Sequence, residues 1–287
     1  MAITAVAVNS TVAELRKTVA RWRQVGETVA LIPTMGALHA GHLELVRQAK
    51  QRCDRAVTSI FVNPAQFAPT EDFDKYPRTF EDDLAKLRTA DCDLVWAPHR
   101  GEMYPDGFAT RIAPAGAAEG LETEFRAHFF SGVTTVCCKL FLQVLPDIAL
   151  FGEKDYQQLC VIQQMVRDLN LPLEIVGVPT IREADGLAMS SRNRYLSADE
   201  RTAAVTIHHV INSVAAVAAK GRGLDKALAE GRRALAASGF GPIDYLAVQD
   251  ATTLKAWDRK SGRPGRVLAA AWLGRTRLID NIAVPVV

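Results

Sequence analysis

The segment that most constrains this chain is Pro-Thr-Met-Gly-Ala-Leu-His-Ala-Gly-His at residues 33–42. An apolar run at residues 29–32 precedes it, and an amphipathic run at residues 43–53 follows it. This order predicts a buried strand, a tight turn and the start of a helix. A strand that leads directly into a helix is the building unit of α/β folds, so the segment favours that fold class.

The turn also has the composition of an anion-binding site. The first turn of a helix leaves backbone N–H groups without partners and carries the positive end of the helix dipole. Gly36 and Gly41 remove Cβ atoms where the backbone must approach a ligand closely. His39 and His42 lie three residues apart, so both rings can donate hydrogen bonds to one phosphate group. The segment predicts a polyphosphate site; the alternative is a surface histidine pair beside a loop glycine.

Charge and cysteine usage exclude several other classes of protein. Lys and Arg total 34 against 32 Asp and Glu, which leaves no large field to attract nucleic acid or an anionic membrane. The five cysteines form no Cys-x-x-Cys pair, which argues against a zinc site or a disulfide framework. Residues 1–9 lack a basic segment followed by a long apolar core, so we expect no secretory signal there, and no run approaches the roughly 18 apolar residues of a membrane span. We therefore expect a soluble cytoplasmic protein with small-molecule partners.

Alternating strand and helix patterns through residue 178 predict a Rossmann-like, doubly wound parallel sheet. Strands are predicted at residues 28–33, 56–62, 92–97, 148–151 and 173–178, with helices at 11–25, after Gly41, at 79–90, 133–144 and up to 169. Thr11 and Glu14 have the spacing of a capping box. The length of 287 residues suggests two domains, a Rossmann-like one at 1–181 and a smaller α+β one at 182–287. In the second, helices at 197–220 and 225–238 precede antiparallel strands at 243–248, 266–273 and 277–282.

Three segments follow strands of the predicted parallel sheet, where ligands bind in such folds. They are the turn at 33–42, residues 63–66 and residues 152–158. Lys154 can meet a phosphate as a point charge, and Gln158 is predicted to face the same cleft one turn into a helix. Gln66 offers both a donor and an acceptor to a hydroxylated or carboxylated substrate. A solvated charged turn and an ordinary loop glutamine are the alternatives.

Two further segments have candidate roles near phosphates. Ser190, Ser191 and Arg192 follow one another in a polar loop between the predicted domains, and they could hold a triphosphate as a mobile flap. A helix N-cap region with a surface arginine is the alternative. Asp82 and Asp83 lie in the first turn of a predicted helix, where they either stabilise the helix dipole or approach Mg²⁺. We expect Mg²⁺ in any reaction of ATP.

Together, the His-x-Gly-His turn and the Ser-Ser-Arg loop resemble elements of the nucleotidylyltransferase superfamily. Longer segments resemble the pantothenate synthetase family more closely, in the family's order and over nearly the whole chain. These segments are residues 33–42, 61–67, 76–78, 151–158 and 185–193.

The resemblance implies an ATP-dependent ligase of vitamin B5 synthesis, usually a homodimer. It implies that pantoate and ATP form pantoyl adenylate and pyrophosphate, after which β-alanine forms the amide. It places ATP against Pro33, Thr34, Met35, Gly36, Ala37, Leu38, His39, Ala40, Gly41, His42, Gly152, Glu153, Lys154, Asp155, Ile181, Met189, Ser190, Ser191 and Arg192.

The resemblance also implies roles for individual side chains. His39 corresponds to the family's proton donor, and Gln66, Gln158 and Asn63 are expected to hold pantoate. Gln66 is also expected to contact β-alanine. The catalytic set predicted in this way consists of His39, His42, Lys154, Ser190, Ser191 and Arg192.

One segment departs from the family's pattern of Arg-Pro-Gly-His-Phe-Arg-Gly-Val. Residues 126–133 place Phe129 in the histidine position and Ser131 in the second arginine position. His128 is adjacent, but consecutive residues of an extended chain point to opposite sides, so we expect it to face away from the cleft. Two rival functions stay open at this point: a nucleotidylyltransferase that leaves the nucleotide on its product, and a nucleotide-binding module without catalysis.

Overall fold

The computed structural model describes residues 6–67, 73 and 76–285, which form two sheets with helices packed against them. Part of the polar loop predicted after residue 63 lies outside the described residues, at 68–72 and 74–75. The strands are β1 (Ala7–Asn9), β2 (Val29–Thr34), β3 (Arg55–Ile60), β4 (Leu94–Trp96), β5 (Ile148–Gly152), β6 (Glu174–Val178), β7 (Phe240–Asp250), β8 (Gly265–Leu273) and β9 (Thr276–Ala283).

The long helices agree with the sequence pattern except at several boundaries, but the short helices at Arg100–Met103 and Glu122–Phe125 were not predicted, and the helix predicted at 197–220 is divided in two. Thr11 and Glu14 form the expected capping box, and a helix predicted to begin at residue 133 begins at Phe129 instead. The α-helices are α1 (Val12–Gln24), α2 (Ala40–Lys50), α3 (Phe80–Thr89), α4 (Arg100–Met103), α5 (Glu122–Phe125), α6 (Phe129–Val144), α7 (Tyr156–Asp168), α8 (Ala198–Ala204), α9 (Thr206–Lys220) and α10 (Leu224–Ala237).

The first sheet is parallel throughout, in the order β1-β4-β3-β2-β5-β6, which confirms the predicted doubly wound fold. β3 and β4 lie on one side of β2 in the sheet, and β5 and β6 lie on the other side. The loops after β2 and β5 therefore leave in opposite directions and open a crevice between them, as at other topological switch points. The two predicted phosphate turns follow these two strands.

The second sheet is antiparallel, in the order β7-β8-β9, and confirms the predicted α+β arrangement. Residues 198–220 are long and apolar enough to span a membrane by length and composition, contrary to the expectation from the sequence. The stretch consists of α8 and α9, and Ile207, Ile211 and Val214 are buried in a core with β8 and β9. Its apolarity thus serves the packing of the second sheet. The boundary between residues 181 and 182 stays a prediction.

Candidate active site

A cleft of about 1330 Å³ opens between the two sheets and is lined by residues from both. It lies at the switch point, beyond the carboxyl ends of β2 and β5. Most of the predicted site residues line it: Pro33, Thr34, Met35, His39, Gly41, His42, Asn63, Gln66, Gly152, Lys154, Asp155, Gln158, Ile181, Met189, Ser190, Ser191 and Arg192. Segments far apart in the sequence are therefore brought to one place.

The two histidines cap the helix that carries them. His39 is the N-cap residue of α2, and its Nδ1 accepts a hydrogen bond of 3.2 Å from the Gly41 N–H. The Nδ1 of His42 accepts one of 3.3 Å from the His39 N–H, and the ring centroids lie 4.1 Å apart. Because both Nδ1 atoms accept, the proton of each neutral ring is assigned to Nε2. The rings can each offer an N–H donor to a ligand.

Burial keeps both imidazoles neutral. Burial first, and then the charge of Lys154, lowers the pKa of His39 to about 4. Burial, His39 and Lys154 hold the pKa of His42 well below its usual value. In the unliganded protein the pair therefore donates hydrogen bonds as neutral rings near pH 7, and the positive charge of the cleft comes from lysine and arginine.

The backbone of Ala37 and Leu38 contacts a carboxylate from a later helix. The N–H groups of Ala37 and Leu38 donate to the carboxylate of Asp83, at 2.9 and 2.8 Å. Ala37 has a φ of +51°, a conformation that non-glycine residues rarely adopt, and these two bonds hold it there. Gly36, Ala37 and Leu38 do not line the cleft, nor do Ala40 and Glu153. The N–H groups of Ala37 and Leu38 are therefore not among the free backbone donors of this turn, and the ATP contacts expected at residues 36–38 and at Ala40 and Glu153 stay predictions.

This arrangement also gives Asp83 a structural role. Its side chain is buried, and it accepts a third hydrogen bond from Thr79 Oγ1 at 3.2 Å. Asp82 is exposed on the same helix, and neither residue lines the cleft. Within the described part of the chain, no three His, Cys, Asp or Glu residues cluster as a metal site would require. The contacts thus give no support to Asp82 and Asp83 as Mg²⁺ ligands.

The turn after β3 places Gln66 at the cleft. Asn63 is buried, and its Oδ1 accepts hydrogen bonds from Tyr104 and from the Ala65 N–H. The Nδ2 of Asn63 donates to Gln66 Oε1 at 3.2 Å and to the Gly132 carbonyl at 3.1 Å. Asn63 therefore holds the turn and orients the carboxamide of Gln66.

The turn after β5 presents Lys154 and Asp155, whose charged atoms lie 3.7 Å apart. Lys154 is about four-fifths buried, and Gln158 lines the cleft from α7 as predicted. Glu153 instead faces the second sheet and pairs with Arg266 at 2.8 Å. The side chain of Glu153 thus forms a bond between the two sheets.

The Ser-Ser-Arg segment is anchored at its base by a short hairpin. Ile181 accepts from the Met189 N–H at 3.0 Å, and Arg182 pairs with Ala188 across the hairpin. Ser190 caps a 3₁₀ turn by accepting from the Arg192 N–H. Backbone bonds therefore fix the base of the loop, and residues 189–192 line the cleft.

Sequence reasoning assigned no role to Arg126 beyond the family pattern, yet its guanidinium stacks 3.7 Å from the centre of the Phe129 ring. It also donates to the Gln66 carbonyl at 3.2 Å and lies 3.5 Å from Glu122. His128 is exposed and does not line the cleft, as expected. The reasoning behind that expectation was wrong, because His128 is the N-cap of α6 and not part of an extended chain.

A buried ion cluster that no sequence pattern indicated closes the other side of the cleft. Glu122 accepts from Tyr245 at 2.6 Å and from Arg277 at 2.9 Å, and Arg277 also pairs with Asp244 at 2.7 Å. Burial opposes ionisation of Glu122, but Arg277 and its other partners still hold its pKa below the usual value. Glu122, Phe125 and Arg126 line the cleft. The cluster connects this segment of the cleft lining to the second sheet.

Comparisons with known proteins agree on one family. The family model described as pantoate-beta-alanine ligase matches residues 7–283. The chain is similar to the pantothenate synthetase of Mesorhizobium japonicum, with 57% identity over 97% of this chain and 98% of that one. It is also similar to that of Caulobacter vibrioides, with 51% identity over 96% and 97%.

Solved structures give the same result. The structure is similar to pantothenate synthetase from Thermus thermophilus, with a TM-score of 0.89, 46% identity, and coverage of 97% of this chain and 99% of that one. It is also similar to pantoate-beta-alanine ligase from Francisella tularensis complexed with beta-gamma ATP and beta-alanine. There the TM-score is 0.81, the identity 30% and the coverage 97% and 98%.

Proposed function

Because this chain belongs to the pantoate–β-alanine ligase family and is an enzyme of ATP-dependent condensation, we propose that the cleft between its sheets is where pantoate, ATP and β-alanine react. One observation carries the proposal. The turns after β2 and β5 and the Ser-Ser-Arg loop, separated in sequence, line one cleft at the switch point of a parallel sheet. Such a crevice is where nucleotides bind in doubly wound folds.

The triphosphate would lie between the two turns and the loop. The neutral Nε2–H groups of His39 and His42 would donate to phosphate oxygens, and Lys154 and Arg192, which both line the cleft, would supply positive charge. Charge moves onto the pyrophosphate as it leaves, so these donors stabilise the transition state more than the ground state. Ser190 and Ser191 add hydroxyl donors from the loop. His39 would give up a proton only after bound phosphate had raised its pKa.

The reaction would proceed in two steps. An oxygen of the pantoate carboxylate attacks the α-phosphorus of ATP, the bond to the β-phosphate bridging oxygen breaks, and pyrophosphate leaves. The amine of β-alanine then attacks the acyl carbon, loses a proton, and displaces AMP with the transferred carboxylate oxygen. The enclosed cleft limits the access of water to the adenylate.

The polar side chains beyond the phosphates fit the two organic substrates. The carboxamides of Gln66 and Gln158 face the cleft and can bond both a hydroxyl and a carboxylate of pantoate. Gln66 would also contact β-alanine, while Asn63 acts by orienting Gln66.

Magnesium is part of the proposal only as a companion of ATP. Among the described residues no group of three or more His, Cys, Asp or Glu side chains could hold a metal, so the triphosphate itself and water would supply most of its ligands. The ion would neutralise phosphate charge, and neither chemical step depends on its position.

A homodimer, on the ground of the family resemblance, and a cytoplasmic location, on the ground of the cysteine usage, complete the proposal. Sedimentation equilibrium of the purified protein would test the first part, since a mass near 31.3 kDa would contradict a dimer. Fractionation of cells would test the second.

Pyrophosphate release tests the reaction order. With ATP, Mg²⁺ and pantoate alone, rapid-quench measurements should show a burst close to one pyrophosphate per site. Adding β-alanine should then release AMP. If pyrophosphate formation strictly requires β-alanine, the adenylate step is wrong; if the nucleotide stays on the product, the site is that of a nucleotidylyltransferase.

A further inference from the structure

The residue that connects the second sheet to the phosphate turn is Asn281 on β9. Its side chain is buried, and its Nδ2 donates to two successive carbonyls, of Glu153 at 2.9 Å and of Lys154 at 2.8 Å. One amide group thus fixes both peptide planes that flank Lys154. Since Lys154 contributes the cation of this turn, its backbone direction determines where that charge lies.

The orientation of Asn281 is itself fixed from a second direction. Arg266 Nε donates to Asn281 Oδ1 at 2.7 Å, which distinguishes the oxygen from the nitrogen of the amide. Arg266 also pairs with Glu153 at 2.8 Å and stacks 3.7 Å from the centre of the Tyr156 ring. Hydrogen bonds at both ends of the amide therefore hold the Asn281 side chain against the turn.

The preceding residue of β9 anchors the other phosphate segment. Asp280 is buried and accepts two hydrogen bonds from Arg182, at 2.7 and 2.9 Å. Arg182 lies at the base of the hairpin that carries Ser190 to Arg192. Neighbouring residues of one strand thus contact both segments that surround the proposed triphosphate.

From these contacts we propose that Asn281 is a positioning residue for adenylate formation, acting through the backbone of Lys154. It contributes no group to the reacting atoms. Its function is to hold the turn after β5 at the distance from the Ser-Ser-Arg loop that the triphosphate requires. The inference rests on the proposed role of Lys154 at the phosphates.

A double-mutant cycle tests this inference. Asn281→Ala removes both donors, and Asn281→Asp keeps the acceptor for Arg266 but places negative charge against two carbonyls. Each should slow pyrophosphate release from ATP and pantoate about tenfold or more in the wild-type background. In a Lys154→Ala background the same changes should cost less than about twofold, because the charge they position is already absent.

A purely structural role would give equal losses in both backgrounds and would overturn the inference. Asn212→Asp on α9, where the amide bonds within its own helix to the carbonyl of His208, is the matched control and should leave the rate unchanged. Thermal unfolding of each variant separates a lost fold from a misplaced turn. If Lys154→Ala slows the reaction and Asn281→Ala does not, the inference alone is wrong. If Lys154→Ala has no effect, the proposed role of Lys154 is wrong, and the inference with it.

Discussion

Replacing Gly132 by alanine should displace the Gln66 turn without removing any polar group. Gly132 lies in α6, directly against the turn after β3. A Cβ there would lie 2.5 Å from the carbonyl carbon of Ala65 and 2.8 Å from the Cα of Gln66, and closer still to the Ala65 oxygen. These atoms belong to the backbone, so no change of rotamer can relieve the overlap.

The size of the effect follows from this geometry. Real Cβ contacts begin near 3.0 Å, so the turn or the helix has to move by roughly half an ångström to one ångström. The bond from Asn63 to the Gly132 carbonyl, at 3.1 Å, would be stretched as well. A displacement of about 1 Å at a positioned group costs on the order of 100-fold in rate. The overpacking should also lower the free energy of unfolding by about 1–3 kcal/mol.

The assay is steady-state formation of AMP with pantoate varied, together with thermal unfolding. We expect kcat/KM for pantoate to fall between about 10-fold and 100-fold. Gly101→Ala is the matched control, since Gly101 lies in α4 and a Cβ added there would meet no heavy atom within 4 Å, so the activity should be unchanged. A Gly132→Ala enzyme with kcat/KM within threefold of wild type and an unchanged Tm would refute the argument.

Three further predictions address the cleft. Lys154→Ala and His42→Ala should each slow pyrophosphate release by about 100-fold. Circular dichroism checks that each variant is folded. Losses below about threefold in both folded variants would place catalysis elsewhere. His128→Ala should change kcat/KM by less than about tenfold, and Phe129→His should be tolerated; a 100-fold loss in His128→Ala at unchanged Tm would contradict this. His39 has a pKa of about 4 in the folded protein and about 6.5 in the unfolded chain. As the pH falls, the unfolded chain therefore binds this proton before the folded protein does. Stability is therefore fully present above pH 6.5 and is lost as the pH falls toward 4. In urea titrations His39→Gln should weaken this pH dependence, and an identical dependence in both proteins would contradict it.

Local chemistry predicted the long helices and most of the strands, and it singled out the histidine pair, Lys154 and the Ser-Ser-Arg segment. The strand, turn and helix around residues 33–42, the Thr11–Glu14 capping box and the alternation of strands and helices all depend on neighbours a few positions apart. The sequence pattern is sufficient for such features because the interacting groups lie within one turn or one strand. The resemblance of whole segments then specified the reaction, which no single motif could do.

The tertiary structure alone decided which side chains meet. Asp83 holds Ala37 and Leu38 from 46 and 45 positions away, and Asn281 holds Glu153 and Lys154 from 128 and 127. An acidic residue in the first turn of a helix has the same local pattern whether it faces solvent, a metal or another backbone. Its partner depends on the order of strands and on the placement of the second sheet, which bring distant segments together. The sequence by itself therefore determined the family and the candidate catalytic groups, and the fold decided which polar residues hold those groups in place.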